Sequence, residues 1–164
     1  MEMMKMNLNR KTVVKGLVGV LEEELENLKE SFNFSRQTVI DAPGAMQSQH
    51  DTTGKEASWL ADGTATRIGE IEQAIYDIQN INYPEPNGRV LLGSVVMLKN
   101  LNNDLQAHYF IGPSEGGTTV DINGIELTII TPVAPITQAM FGKYPGEEFE
   151  IPGKDVKYKI EDIG

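Results

Sequence analysis

Residues 131–151 read TPVAPITQAMFGKYPGEEFEI, and this stretch decides how the second half of the chain folds. Two prolines open it, and an amphipathic run follows them and ends at Gly142. Glycine directly after a helical run is a common helix end, because it adopts the left-handed conformation without strain. The stretch therefore predicts a short helix, and the run EEFEI after Gly146 predicts a strand.

Short runs rich in β-branched and aromatic residues surround this helix and predict the other strands of a small sheet. Turn sequences containing glycine, asparagine or proline separate the runs. In chain order the runs are RVLLGSVVML, LQAHYFI, IELTIIT, EEFEI and VKYKIEDI. We therefore expect an α+β domain at residues 83–164, formed by a small antiparallel sheet crossed by one short helix. The linker sequence NYPEPNG marks where this domain begins.

Residues 1–82 have the apolar period of two long helices. Apolar residues spaced alternately by three and four positions fall on one face of a helix. The first seam is Val14, Val18, Leu21, Leu25, Leu28 and Phe32, and the second is Ala61, Thr64, Ile68, Ile71, Ile75 and Ile78. The seams predict an antiparallel coiled-coil hairpin with helices at residues 11–42 and 54–80. An oligomeric helical bundle would explain the same seams.

The composition is that of an ordinary globular chain, with 164 residues, 40% hydrophobic and 23% charged. It has no cysteine, which excludes disulfides and thiolate metal sites. The net charge of −10, shared equally by the two halves, disfavours independent binding to DNA or RNA, which depends on neutralising phosphates. No stretch approaches the ~18 apolar residues of a membrane helix, so we expect a cytoplasmic protein without a membrane partner.

The stretch HDTTGKEASWL, residues 50–60, carries the two acids that could take part in chemistry. Asp51 and Glu56 could hold a metal ion, because carboxylate oxygens are the ligands that magnesium prefers. Thr53 and Glu56 also fit a capping box at the start of the second helix. Asp51 suits a turn or a helix N-cap equally well. The pattern leaves both interpretations open.

The runs VLLGSVVML, YFIGPSEGG, TPVAPITQAMFGKYPGEEFEI and VKYKIEDI resemble the C-terminal domain of the GreA/GreB transcript-cleavage factors of bacterial RNA polymerase. The matching pairs are Thr131-Pro132, Ala134-Pro135, Gly142-Lys143 and Gly146-Glu147. ATRIGEIEQAI and HDTTGKEASWLADG are similar to the hairpin arm and to the tip of shorter Gre-like proteins. The resemblance implies an FKBP-like fold for the globular domain.

What the resemblance implies is a binding protein that is not itself an enzyme. The hairpin would enter the secondary channel of RNA polymerase, and the globular domain would dock at its rim. Asp51 and Glu56 would act as the catalytic tip acids there, sharing Mg²⁺ with the polymerase as it cleaves the 3′ end of backtracked RNA. The free protein would carry no cofactor. The implied binding residues are Lys55, Trp59, Pro135, Gly142 and Lys143.

Two alternatives stand beside this interpretation. Asp51 and Glu56 are five residues apart, whereas the standard factors have a glutamate three residues after the aspartate, which favours a regulator that occupies the channel without supporting cleavage. An FKBP-like prolyl isomerase or chaperone is less favoured, because an isomerase needs an aromatic-lined cleft. The phenylalanines of this half (Phe110, Phe141 and Phe149) lie in three separate stretches. We also expect residues from Pro84 onward to fold alone.

Overall fold

The computed structural model describes residues 8–41 and 51–164, with side chains for residues 8–34 and 62–164. Within these ranges the order is α1 (Arg10–Asp41), α2 (Asp51–Asn80), β1 (Val95–Asn100), β2 (Gln106–Ile111), β3 (Thr119–Ile122), β4 (Ile125–Ile130), α3 (Pro135–Met140), β5 (Glu148–Glu150) and β6 (Lys157–Ile163). The α+β class is confirmed. Among the described helices, none has the length of apolar residues that crossing a membrane requires.

The residues form two compact units that do not coincide with the two halves of the sequence. One unit combines the chain up to residue 18 with residues 77–164, and the other is residues 19–76. The first turns of α1 and the last residues of α2 therefore belong to the same unit as the sheet.

The unit of residues 19–76 contains the middle of the predicted helical seams, whereas Val14, Val18 and Ile78 belong to the sheet unit. Leu21 on α1 and Ile71 on α2 are completely buried, and the neighbouring seam positions are half-buried. A salt bridge of 3.3 Å joins the Arg67 guanidinium to the Glu24 carboxylate, so the two helices lie side by side. The apolar spacing of the sequence thus identifies the face on which α1 and α2 meet.

The sheet has the strand order β3-β4-β2-β1-β6-β5. All neighbouring strands are antiparallel except β2 and β4, which run parallel, so the prediction of a wholly antiparallel sheet is wrong for this pair. The reason is β3, which the sequence analysis missed: it forms a tight hairpin with β4 through Asn123 and Gly124, and this hairpin returns the chain beside β2 in the same direction. The predicted first strand is also shorter, since it begins only at Val95.

One face of the sheet packs against α3. The buried residues of this face come from five different strands and from the segments around them, and Met140 of α3 lies among them. The members on the strands are Val96, Leu98, Ile111, Ile130, Phe149 and Ile160. This core holds α3 and the residues that follow it in place.

The other face is covered by the beginning of α1 and the residues after α2. The Tyr83 ring meets the buried Phe110 of β2 edge to face, with ring centroids 6.2 Å apart. A methyl group added at Gly16 of α1 would lie 3.2 Å from the Ile122 side chain of β3, so the helix backbone approaches the sheet closely. A chain beginning at Pro84 lacks this cover and would expose Phe110 and Ile122. That such a chain folds alone stays a prediction.

Arg10, Tyr83 and Gly93 form the contact that we call the Arg10 clamp. The Arg10 Nε donates a hydrogen bond to the Gly93 carbonyl at 2.8 Å, and its guanidinium carbon lies 4.9 Å from the centre of the Tyr83 ring. The Tyr83 hydroxyl donates to the Ile78 carbonyl at 2.8 Å. Burial raises the pKa of Tyr83 to about 12, although the Arg10 charge acts in the opposite direction.

Gly93 is required in this clamp for two reasons. Its φ of +87° lies in the left-handed region, and a Cβ there would lie 2.5 Å from Tyr83 Cδ1 and 2.7 Å from Arg10 Nε. Gly153 has a similar φ of +82° but has no atom within 4 Å of the position of a Cβ. Comparing alanine substitutions at Gly93 and Gly153 therefore separates the cost of backbone strain from the cost of steric crowding.

We predict that Gly93→Ala destabilises the sheet unit more than Gly153→Ala. Both substitutions place alanine in the left-handed region, at a cost of about 1–2 kcal/mol. Only Gly93→Ala also crowds the clamp, which adds about 1–3 kcal/mol. Chemical unfolding, followed by near-ultraviolet circular dichroism of the tyrosines, measures the free energy of unfolding of both variants. Equal losses of stability would show that the clamp does not hold the unit together.

Candidate functional site

The segment between β4 and β5 is shaped by its prolines and glycines. The Ala134 amide donates to the Thr131 carbonyl at 3.0 Å, and this turn leads into α3. Pro135 is in the first turn of α3, where the missing amide hydrogen leaves no hydrogen bond unmade. Gly142 follows α3 with a φ of +81°, and its amide donates to the Val90 carbonyl at 2.8 Å. The segment is thus fixed at both ends of the helix.

Lys143 and Tyr144 follow Gly142 on the surface of the sheet unit. The Lys143 carbonyl accepts a hydrogen bond from the Val90 amide at 2.9 Å, which completes a two-bond pairing with Val90. The Tyr144 amide donates to the Glu147 carboxylate at 2.6 Å. The Arg89 guanidinium carbon lies 4.9 Å from the centre of the Tyr144 ring, and Arg89 Nε donates to the Tyr144 hydroxyl at 2.6 Å.

Three large apolar side chains of this segment face solvent, and we call them the α3 patch. Val133 is 79% exposed, Phe141 47% and Tyr144 44%. Scattered exposed apolar residues are ordinary, but a group of them on one short, rigid segment is typical of a surface that meets a partner. Arg89 contributes positive charge beside Tyr144, and the Glu147 carboxylate contributes negative charge there. The patch therefore suits a partner surface that is apolar with polar groups around it.

The predicted binding residues of the globular domain lie in this segment, and their role in binding stays a prediction. Pro135 and Gly142 shape the backbone, while Lys143 is half-buried and carries a charge beside the patch. The sequence did not indicate Val133, Phe141, Tyr144 or Arg89 as surface residues. The exposure of Phe141 could have been predicted from helical spacing. Ile136, Ala139 and Met140 occupy the buried face of α3, and Phe141 lies outside that face.

The predicted tip residues Asp51, Lys55, Glu56 and Trp59 all fall within α2, but their side chains lie outside the described residues. The connection 42–50 also lies outside them. Thr53 lies inside α2 and is not its N-cap, so the predicted capping box is wrong and the helix extends at least three residues before Gly54. Positions five apart on an α-helix are about 140° apart around its axis, so the backbone alone does not bring Asp51 and Glu56 together.

A cleft of about 440 Å³ lies where the first residues of β2 and β4 meet. It is lined by Gln106–His108, by Gly124–Glu126 and by Thr128. No phenylalanine, tyrosine or tryptophan lines it, so this cleft does not have the aromatic walls that a prolyl isomerase requires. Among the described side chains, no group of three His, Cys, Asp or Glu residues could hold a metal ion.

Comparison with known proteins assigns the globular domain. Residues 85–164, which include all six strands and the α3 patch, match the family model "Transcription elongation factor, GreA/GreB, C-term". This match identifies residues 85–164 as similar to the C-terminal domain of the GreA/GreB family. Members of this family are transcription elongation factors and not themselves enzymes.

Curated relatives match along most of the chain. The transcription elongation factor GreA of Nitrosococcus oceani is 28% identical over 155 residues, covering 88% of this chain and 90% of the relative. The GreA of Haemophilus ducreyi is 29% identical over 153 residues, covering 86% and 89%. These matches extend beyond residues 85–164 into the helices that precede them, which we call the helical arm.

Solved structures of similar proteins include GreA factor homolog 1 (Gfh1) of Thermus thermophilus, with a TM-score of 0.36, 19% identity and coverage of 90% of this chain and 94% of the other. A GreA/GreB elongation factor from Nitrosomonas europaea gives a TM-score of 0.33 and 23% identity, covering 62% and 78%. These low scores add nothing to the family assignment, which depends on the GreA/GreB sequence match.

Proposed function

We propose that this GreA/GreB-like protein binds a bacterial-type RNA polymerase, inserts its helical arm into the secondary channel and stimulates cleavage of backtracked RNA. The observation that carries the proposal is the family match over residues 85–164, together with GreA relatives aligned over most of the chain. The arm supplies reach, since α1 has 32 residues and is about 48 Å long at 1.5 Å per residue. The globular domain supplies the docking surface.

The proposed role of Asp51 and Glu56 is to complete a magnesium site that the polymerase provides. Mg²⁺ keeps several waters and is commonly bound by only one or two carboxylates plus substrate phosphates, so a site shared by two proteins agrees with its chemistry. In a two-metal displacement, the second ion positions the attacking water and makes it more acidic. RNA would be contacted only inside this complex, because the chain carries a net charge of −10.

A second candidate is a regulator that occupies the channel without supporting cleavage. It is favoured by the position of Asp51 and Glu56 within α2, about 140° apart around the helix axis, where acids three residues apart would be separated by about 60°. Wide separation disfavours joint coordination of one ion. The two candidates share the polymerase-binding surface and differ only in what the tip does.

Docking is tested by changing the α3 patch. We predict that the double substitution Val133→Ser and Phe141→Ser weakens binding to RNA polymerase about tenfold or more, because buried apolar anchors dominate binding energy. Leu105→Ser is the matched control, since Leu105 is 67% exposed but lies on the turn between β1 and β2. Competition binding against labelled wild-type protein measures the effect. Unchanged competition by the double variant would place the docking surface elsewhere.

The role of the tip is tested with Asp51→Asn and Glu56→Gln, which remove charge and keep shape. We predict that each variant still binds polymerase but loses cleavage stimulation by orders of magnitude. Added magnesium should restore part of it, because a weakened site fills by mass action. Asp62→Asn, an exposed acid further along α2, is the control. The assay is the shortening of RNA in backtracked elongation complexes.

Two outcomes of that assay contradict cleavage stimulation by the tip acids. Wild-type protein that binds polymerase but shortens no RNA at any magnesium concentration would establish the regulator. Full activity of both tip variants would show that other residues support cleavage.

A further inference from the structure

The sequence contains two Asn-Gly pairs, Asn87-Gly88 and Asn123-Gly124. An asparagine before glycine is open to an intramolecular reaction, because glycine has no side chain to keep its amide nitrogen away from the asparagine side-chain carbonyl. All four residues are exposed, and φ is +82° at Gly88 and +83° at Gly124. Solvent access and the glycine φ are therefore matched, and the two sites differ in their hydrogen bonds.

The reaction replaces the side-chain amide of the asparagine with a carboxylate. The glycine amide nitrogen loses its proton to solvent and attacks the side-chain carbonyl carbon, Cγ, of the asparagine. A bond forms between these two atoms and negative charge collects on Oδ1. The bond from Cγ to Nδ2 then breaks, and Nδ2 takes up a proton and leaves as ammonia. Water opens the resulting cyclic imide at either carbonyl, which gives aspartate or isoaspartate, so water is the only co-reactant.

At Asn87 the hydrogen bonds favour this reaction. The Arg89 amide donates to Asn87 Oδ1 at 3.0 Å. Because Oδ1 becomes negative when Cγ is attacked, this donor stabilises the tetrahedral intermediate in the way that an oxyanion hole does. Within the described ranges, the Gly88 amide donates to no other residue, so its nitrogen is available to attack. Asn87 and Gly88 also lie outside the helices and strands.

At Asn123 the hydrogen bonds oppose the reaction. The Gly124 amide donates to the Asp121 carboxylate at 3.0 Å, so the nitrogen that would attack is already engaged. A negatively charged oxygen holds its proton, which disfavours the proton loss that attack requires. Asn123 and Gly124 are also the central residues of the tight β3–β4 turn, which is closed by the pairing of Ile122 with Ile125. Attack on Cγ would require this turn to open.

We propose that Asn87 is a modification site, converted to aspartate or isoaspartate by attack of the Gly88 amide, whereas Asn123 is protected by the Asp121 carboxylate. Either product carries a negative charge where the unmodified chain has a neutral amide. In the isoaspartate the main chain runs through the former side chain, so the Arg89 amide also loses the oxygen to which it donates.

The modified residue lies beside the α3 patch. A Cβ at Gly88 would be 3.8 Å from Tyr144 Cδ1, and Arg89 Nε donates to the Tyr144 hydroxyl at 2.6 Å. The new carboxylate therefore changes the charge next to Tyr144. The reaction needs no partner, so its occurrence does not depend on binding to RNA polymerase, and a failure of either proposal leaves the other untouched.

The test is incubation of the full-length protein in H₂¹⁸O near neutral pH, followed by digestion at acidic pH and tandem mass spectrometry. Conversion appears as the mass gain of an amide replaced by an ¹⁸O-labelled carboxylate, because water supplies one oxygen. Fragment ions assign this gain to Asn87 or to Asn123. We expect the initial rate at Asn87 to be about tenfold or more above that at Asn123, where a hydrogen bond to a charged group must first break.

Two controls separate the effect of the hydrogen bonds from that of the Asn-Gly sequence. In protein unfolded with guanidinium chloride, both asparagines should react at similar rates, because neither hydrogen bond is present. Asp121→Ala should accelerate the reaction at Asn123 and leave the rate at Asn87 unchanged. Equal rates at the two sites in the folded protein, or no labelled product at Asn87 when the unfolded chain reacts there, overturns the proposal. A wild-type rate at Asn123 in Asp121→Ala also overturns it.

Discussion

The Arg10 clamp is the contact on which the sheet unit depends. It joins residues that are 83 positions apart, and it brings the start of α1 against Gly93 in the segment that precedes β1. The half-buried guanidinium needs partners for its donors, and the Gly93 carbonyl, the Pro84 carbonyl and the face of Tyr83 supply them. The same packing covers Phe110 and Ile122, so the sheet cannot be separated from the helix bases without exposing apolar surface.

This constraint bears on the proposed function. An arm that delivers residues to another protein's active site needs an anchored base, and the bases of α1 and α2 are part of the unit that carries the α3 patch. The first turns of α1 and the last residues of α2 are thus held by the core packing of the sheet unit.

Much of the fold could be predicted from local sequence, since heptad spacing identified Leu21 and Ile71 on the face where α1 and α2 meet, and β-branched runs identified five of the six strands, although the completely buried Val13 and Leu17 lie outside the predicted seam. The parallel pairing of β2 and β4 could not, because it depends on where the β3–β4 hairpin returns along the sheet. The Arg10 clamp is equally invisible, because nothing near Arg10 in sequence indicates Gly93 or Tyr83. Of the site, the tip acids and the α3 segment were predicted, whereas exposure of Val133, Phe141 and Tyr144 is a consequence of tertiary packing.

The proposal that the arm reaches the polymerase active site is tested most directly by replacing the Mg²⁺ there with Fe²⁺, which generates hydroxyl radicals locally. End-labelled protein bound to polymerase should be cut in its backbone around residues 51–56 and spared in residues 85–164. This result is expected whether or not the tip supports cleavage of RNA. Protein that is bound but is not cut near residues 51–56, or is cut within the globular domain, would contradict insertion of the arm.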